Sequence, residues 1–194
     1  MSGRIGLLGG TFDPLHVGHL IVSQDVLEAL ALDRLIVVPA YRPPHREAHL
    51  DAETRFRLAR EAFAGDERIE VSDVELRRRG TSWTVVTLEW VVQELAPTEL
   101  FLVMGADQLR AFRSWSSPDR ILELARLAVM TRPGESLAES DVPYQRVEVT
   151  RVDLSSTRVR ERLDRGLPIR YLVPERILKA VEEAWAARKR TYAV

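Results

Sequence analysis

The run Gly9-Gly10-Thr11-Phe12-Asp13-Pro14-Leu15-His16-Val17-Gly18-His19 gathers several features that each suit an anionic ligand. Paired glycines let the backbone pass close to a ligand and turn N–H groups toward it. His16 and His19 are three residues apart, so on a helix they share one face in its first turn. The dipole and unpaired N–H groups of that turn already favour negative charge. Gly18 costs a helix about 1 kcal/mol relative to alanine, which makes sense if something packs against the backbone there. No Lys-Ser/Thr follows as in a P-loop, and the glycines are not spaced as G-x-G-x-x-G. The chemistry indicated is phosphate handling without either of those cradles.

A second segment, Leu154-Ser155-Ser156-Thr157-Arg158-Val159-Arg160, points the same way by a different argument. Serine or threonine ahead of a helix is an ordinary cap. Arg158 and Arg160 are less ordinary, because the first turn disfavours cations. An anion bound there reverses the sign of that penalty, with hydroxyls, N–H groups and guanidinium converging on it. Taken alone, the segment reads equally well as a surface helix with solvated arginines.

Between these two segments lie candidates for a second substrate. Pro43-Pro44-His45-Arg46 sets a rigid, extended turn before two cations, a phosphate clamp or simply a solvated loop. Arg77-Arg78-Arg79-Gly80-Thr81-Ser82-Trp83-Thr84 joins a basic run to a polar turn and a helix start, although adjacent arginines are more often a solvated face. Asp107, after Met104-Gly105-Ala106, could accept hydrogen bonds from ribose hydroxyls or cap a helix. Trp115 offers a stacking face if exposed, but a lone tryptophan more commonly packs onto its domain.

The elements that must position these residues are legible from hydrophobic patterning. Short β-rich runs fall at Arg4–Leu8, Leu35–Val38, Arg68–Val71, Leu100–Met104, Leu127–Thr131 and Arg146–Val149. Stretches at helical spacing fall at Val17–Ala31, Ala52–Ala64, Thr84–Leu95 and Pro118–Leu124. Strand–helix alternation with apolar strands predicts an α/β, Rossmann-like, doubly wound parallel sheet with helices on both faces. Ligands in such sheets bind beyond the carboxyl ends of the strands, where strand order reverses. After residue 150 the pattern changes to a short helical segment. One helix spans Ser156–Arg165 and stops at Gly166, and another starts near Pro174 with a stripe of Ile177, Leu178, Val181 and Trp185. Arg132–Tyr144 reads as a surface loop, and the expectation is one domain over 1–194, with its core in 1–150.

Bulk properties narrow the function classes. With 28 basic and 29 acidic residues among 194, the net charge is -1, so no global field recruits nucleic acid or an anionic membrane. The absence of cysteine excludes disulfides, thiolate catalysis and zinc ribbons. No run reaches the length of a membrane span and the N-terminus does not read as a signal peptide, so a cytoplasmic location is expected.

The first run resembles the G-x-F-D-P-x-H-x-G-H signature of the nucleotidylyltransferase superfamily, relatives of the class I aminoacyl-tRNA synthetases. The second resembles its I-S-S-T-x-x-R signature, with Leu154 where isoleucine is usual. The synthetases carry KMSKS-like lysines instead. The intervening segments are similar to nicotinate-nucleotide adenylyltransferases, which show P-P-H-K, R-x-G-x-S-Y-T-x-D-T-L, G-A-D with a later Trp, and R-P-G. Here these read Pro43-Pro44-His45-Arg46, Arg78 to Leu88, Gly105-Ala106-Asp107 with Trp115, and Arg132-Pro133-Gly134.

The resemblance implies adenylyl transfer from ATP to the 5′-phosphate of nicotinate mononucleotide. His16, His19 and Arg160 would be catalytic. Gly9, Gly10, Thr11, Phe12, Gly18, Gly105, Asp107, Ser155, Ser156 and Thr157 would complete the ATP site. His45 and Arg46 would meet the acceptor phosphate, and Ser82, Trp83, Thr84 and Trp115 its ring, with Arg132 on the acceptor side as well. Mg²⁺ would travel with ATP, with no dedicated protein site, and a homodimer stays open. The family's Asp before Thr-Leu is Val86 here, its Lys is Arg46 and its Tyr is Trp83, all on the acceptor side. Other acceptors therefore stay open: nicotinamide mononucleotide, phosphopantetheine, a cytidylyl transfer from CTP, or a sensor that binds nucleotide without catalysis.

Overall fold

A computed structural model describes residues 3–45, 47–134 and 140–191. Arg46, one of the expected phosphate ligands, lies outside the described residues. Strands β1 (Arg4–Gly10), β2 (Arg34–Pro39), β3 (Ile69–Val71), β4 (Glu99–Gly105), β5 (Arg126–Thr131) and β6 (Tyr144–Glu148) form one sheet. Its order is β3-β2-β1-β4-β5-β6, and every neighbouring pair is parallel. Strand order reverses between β1 and β4, so a ligand crevice is expected past Gly10 and Gly105.

The four central strands, β2, β1, β4 and β5, are mostly apolar because both faces are covered. Successive side chains alternate between two cores. Ile5, Leu7, Ile36, Val38, Leu100, Leu102, Met104, Leu127 and Val129 point to one face. There they meet α3 (Val74–Arg78), α4 (Thr84–Leu95), α5 (Ala106–Ala111) and α6 (Pro118–Leu124). Leu8, Leu35, Val37, Phe101, Val103, Ala128 and Val147 point to the other. That face carries α1 (Val17–Ala29), α2 (Ala52–Phe63), α7 (Ser156–Asp164) and α8 (Glu175–Thr191). The doubly wound architecture expected from the sequence is the one observed.

Helix α3 was not anticipated and α5 only through the capping alternative for Asp107, since 5 and 6 residues are too few to develop a helical period. Strand β6 begins at Tyr144, two residues earlier than expected, because it is an edge strand whose Gln145 and Arg146 are exposed and hide the alternation. The tail follows expectation. Gly166 takes φ +68°, and the Leu167 N–H donates to Arg162 O at 2.9 Å, closing α7. Ile177, Val181 and Trp185 of α8 are buried, while the Trp185 Nε1–H donates to Asp164 Oδ1 at 3.0 Å. Among the described residues, no helix is long and apolar enough to cross a membrane.

Candidate active site

The turn after β1 is built by its own aromatic rings. Phe12 sits at φ +49°, and its ring folds back until a Cβ on Gly10 would lie 2.8 Å from it. Gly10 is thus required by the protein's own packing. Gly9 is the glycine open to a ligand, since a Cβ there would meet nothing within 4 Å. The Phe12 ring meets His19 edge-on at 5.0 Å, and His19 stacks on His16 at 3.8 Å. His16 is the extended residue before α1, and its N–H donates to His19 Nδ1 at 3.1 Å. That bond occupies the Nδ1 lone pair, so neutral His19 carries its proton on Nε2 as a donor. A Cβ on Gly18 would come 3.0 Å from His16 Nδ1, so the partner that packs against Gly18 is the His16 ring.

The start of α7 is clipped onto this turn. The Ser156 hydroxyl donates to Pro14 O at 2.9 Å, and Arg160 Nη1 donates to Asp13 O at 2.7 Å. These bonds join residues 142 and 147 positions apart in sequence. Arg160 Nη2 also donates to Thr157 Oγ1 at 2.9 Å, which fixes the guanidinium on the first turn of α7. Ser155 caps the helix by accepting the Arg158 N–H at 3.2 Å. Arg158 turns back to Asp153 O at 3.2 Å. Both segments expected to handle phosphate therefore meet at one place, beyond the carboxyl end of β1.

Two functional supports escaped sequence reasoning. The Asp13 carboxylate, only 4% exposed, accepts the His49 N–H at 2.7 Å and the Leu50 N–H at 2.9 Å, with the His49 ring at 2.9 Å. Arg55, 1% exposed, spends its guanidinium on main-chain carbonyls. It donates to Leu50 O at 3.0 Å, Thr11 O at 2.9 Å, Ala40 O at 2.6 Å and Tyr41 O at 3.1 Å. A signal was present, because Arg55 falls in phase with the apolar stripe of Leu58, Ala59 and Ala62.

On the side expected to hold the acceptor, two loops pair as a short ladder. Ser82 N–H donates to Arg42 O at 2.9 Å, and the Arg42 N–H donates to Ser82 Oγ at 3.1 Å. Trp83 precedes α4 with 39% of its surface exposed, Thr84 opens that helix, and His45 is exposed in its turn. Arg77 is paired with Asp73, and Arg78 donates to Thr87 Oγ1 at 3.4 Å, so the basic run is partly structural. Trp115 is half-buried against Phe112 at 5.7 Å, consistent with a packing role. Asp107 does not cap α5. Gly105 is the cap residue, Gln108 Oε1 accepts its N–H at 2.9 Å, and Asp107 pairs with Arg110. Arg132, grouped with the acceptor residues through R-P-G, pairs with Asp153 at 3.4 Å and so sits beside the α7 signature.

Residues 7–162 match the cytidylyltransferase-like family. The probable nicotinate-nucleotide adenylyltransferase of Thermus thermophilus is 41% identical over 180 residues, covering 93% of this chain and 97% of the relative. That of Rubrobacter xylanophilus is 38% identical, covering 92% and 89%. The chain belongs to the nicotinate-nucleotide adenylyltransferase family. Its fold is shared with the Plasmodium falciparum nicotinic acid mononucleotide adenylyltransferase complexed with NaAD, at a TM-score of 0.73 and 15% identity over 92% of this chain and 96% of that one.

Within this adenylyltransferase, the histidine pair has a measurable electrostatic signature. Burial pushes the His16 pKa down to about 4. Burial, reinforced by its neighbour His16, pushes His19 down to about 3. Both folded values lie below the unfolded value of about 6.5. The unfolded chain therefore binds more protons below pH 6.5, and stability falls with acidification from there toward pH 4 and 3. Thermal melts of the ligand-free enzyme are expected to show a Tm that declines between pH 6.5 and 4, with a shallower decline in His16→Asn. An unchanged slope in that variant would contradict the assignment.

Proposed function

We propose that this enzyme transfers the adenylyl group of ATP to the 5′-phosphate of nicotinate mononucleotide, giving the deamido dinucleotide and pyrophosphate. The observation that carries this reading is the joining of the two phosphate segments by Arg160 and Ser156 on the Asp13–Pro14 backbone. A phosphate monoester is mostly dianionic at neutral pH, so the acceptor needs no general base. Its oxygen forms a bond to the α-phosphorus of ATP in line with the departing β-phosphate oxygen, and the bond to pyrophosphate breaks. The enzyme's task is alignment and neutralisation of charge on the α-phosphate and the leaving group.

Neutral His19 offers an Nε2–H donor to those oxygens, beside His16 and the N-terminus of α1. Arg160, Thr157 and Ser155 offer a guanidinium and hydroxyls from α7. Gly105 and Asp107, past β4, suit the nucleoside half of ATP. This donor set of ring nitrogens, hydroxyls and a guanidinium suits phosphate oxygens better than a bare cation. Mg²⁺ prefers oxygen ligands and would enter on ATP phosphates, where it supplies further charge neutralisation. On the acceptor side, Ser82, Trp83, Thr84 and Trp115 would enclose the pyridine ring, and His45 with Arg46 would take the phosphate.

The deciding experiment is a product assay with ATP and a panel of nicotinate mononucleotide, nicotinamide mononucleotide and phosphopantetheine. Dinucleotide formation with the first at the highest kcat/KM supports the reading, and preference for another acceptor replaces it. The Arg42–Ser82 ladder adds a narrower expectation. Ser82→Ala removes one acceptor of a main-chain N–H, a loss of about 0.5–1.5 kcal/mol, and should raise KM for the mononucleotide about two- to tenfold. The KM for ATP should stay unchanged, as steady-state titration of each substrate would reveal.

A further inference from the structure

Arg55 is a cation with no exposed surface to speak of, and none of its hydrogen bonds goes to a carboxylate. Its acceptors identify what it holds. Thr11 O belongs to the turn that also carries the two histidines, and Ala40 O and Tyr41 O belong to the loop after β2. That second loop continues to Arg42, which pairs with Ser82, and then to Pro43-Pro44-His45. One planar guanidinium thus spans the donor-side turn and the acceptor-side loop, with Leu50 O fixing it to the start of α2. Glu75 supports Tyr41 from the other side. It is buried, Oε2 accepts the Tyr41 N–H at 3.3 Å, and Oε1 accepts the Thr87 hydroxyl at 2.8 Å.

We propose that Arg55, with Glu75 behind it, is a positioning residue that sets the separation between the ATP turn and the mononucleotide loop, and so aligns the attacking phosphate with the α-phosphorus. This rests on the two-substrate reading above. Each loop retains its own ligands without Arg55, so each substrate alone still binds. Their mutual alignment depends on it. A guanidinium suits this role because it offers five donors in one rigid plane, whereas an ammonium holds fewer carbonyls and imposes no plane. In-line displacement is sensitive to that geometry, and a misplacement of about 1 Å costs on the order of 100-fold.

The test compares Arg55→Lys, Glu75→Gln and Leu58→Ala with wild type. Leu58 is fully buried on the same face of α2 and touches neither loop through a hydrogen bond, so it reports general loosening of the helix. Arg55→Lys is expected to lower kcat about 10- to 100-fold while ATP and nicotinate mononucleotide each bind within about threefold of wild type. Leu58→Ala should keep kcat within that threefold. If Arg55→Lys does not fold, Glu75→Gln is read by the same criteria. A folded variant with kcat within threefold of wild type, or an equal kcat loss in Leu58→Ala, overturns the proposal.

Hydrogen exchange gives a readout that needs no turnover. Arg55→Lys should speed exchange in both the turn after β1 and the loop after β2, and Leu58→Ala should not. Speeding confined to one of them overturns the brace. A wild-type enzyme that makes no dinucleotide would overturn the functional reading, while the exchange comparison still judges the brace.

Discussion

Replacing His19 by alanine is expected to lower kcat by about 10²–10³-fold, the loss typical of one preorganised donor to a developing negative charge. The reason lies in how the ring is held. The His16 N–H occupies Nδ1, the Phe12 ring meets the imidazole edge-on and the His16 ring stacks on it. The Nε2–H is therefore fixed before substrate arrives and costs no reorganisation at the moment of bond formation. A sharper variant is His19→Asn, whose amide oxygen can stand where Nδ1 stands and accept the same N–H. It should fold and melt like wild type yet lose nearly as much kcat, because nothing replaces the distal donor. Turnover within about tenfold of wild type in either variant, measured by pyrophosphate release, would remove His19 from the catalytic group.

The histidine pair and the misplaced arginines of α7 were legible because each violates a local preference. Gly18 sits inside a helix and Arg160 was expected in a first turn that disfavours cations, so each asked for a partner. Helix α7 starts at Ser156, which leaves Arg158 in that turn and Arg160 just past it. For Gly18 that partner is the His16 ring, and for Arg160 it is the Asp13 carbonyl beside the place expected for an anion. The central strands were legible because burial on both faces makes them mostly apolar. What stayed hidden depends on contacts between distant residues. Asp13 lay inside the recognised run, but nothing local says that its carboxylate reaches Leu50. Arg55 broke the apolar stripe of α2, a visible anomaly whose meaning is four carbonyls on three different segments. Arg132 shows a partner that no local pattern announces. It was read only through R-P-G, and the structure also sets it beside the segment leading into α7, where it pairs with Asp153.

Asp13→Ala is expected to destabilise the protein by about 3–5 kcal/mol, because it removes a buried carboxylate and leaves its donors behind. Two main-chain N–H groups would lose their partner, that of Leu50 in a buried place and that of His49 in a half-buried one. Each such loss costs about 1–3 kcal/mol. The effect extends to Arg55. Burial pulls its pKa down from the usual arginine value, and the carboxylates of Asp13, Asp51 and Glu75 pull it back up, Asp13 most strongly. Deleting Asp13 therefore also removes the largest electrostatic support of the buried guanidinium. Asp13→Asn separates the two contributions. Its single carbonyl oxygen can keep the His49 donors at the Oδ2 position, but its NH2 then faces the Leu50 N–H, donor against donor. It should lose less than the alanine variant and more than a neutral exchange, about 1–3 kcal/mol, in urea titrations at pH 7. An alanine variant within 1 kcal/mol of wild type would show that the carboxylate is not what ties the turn after β1 to the start of α2.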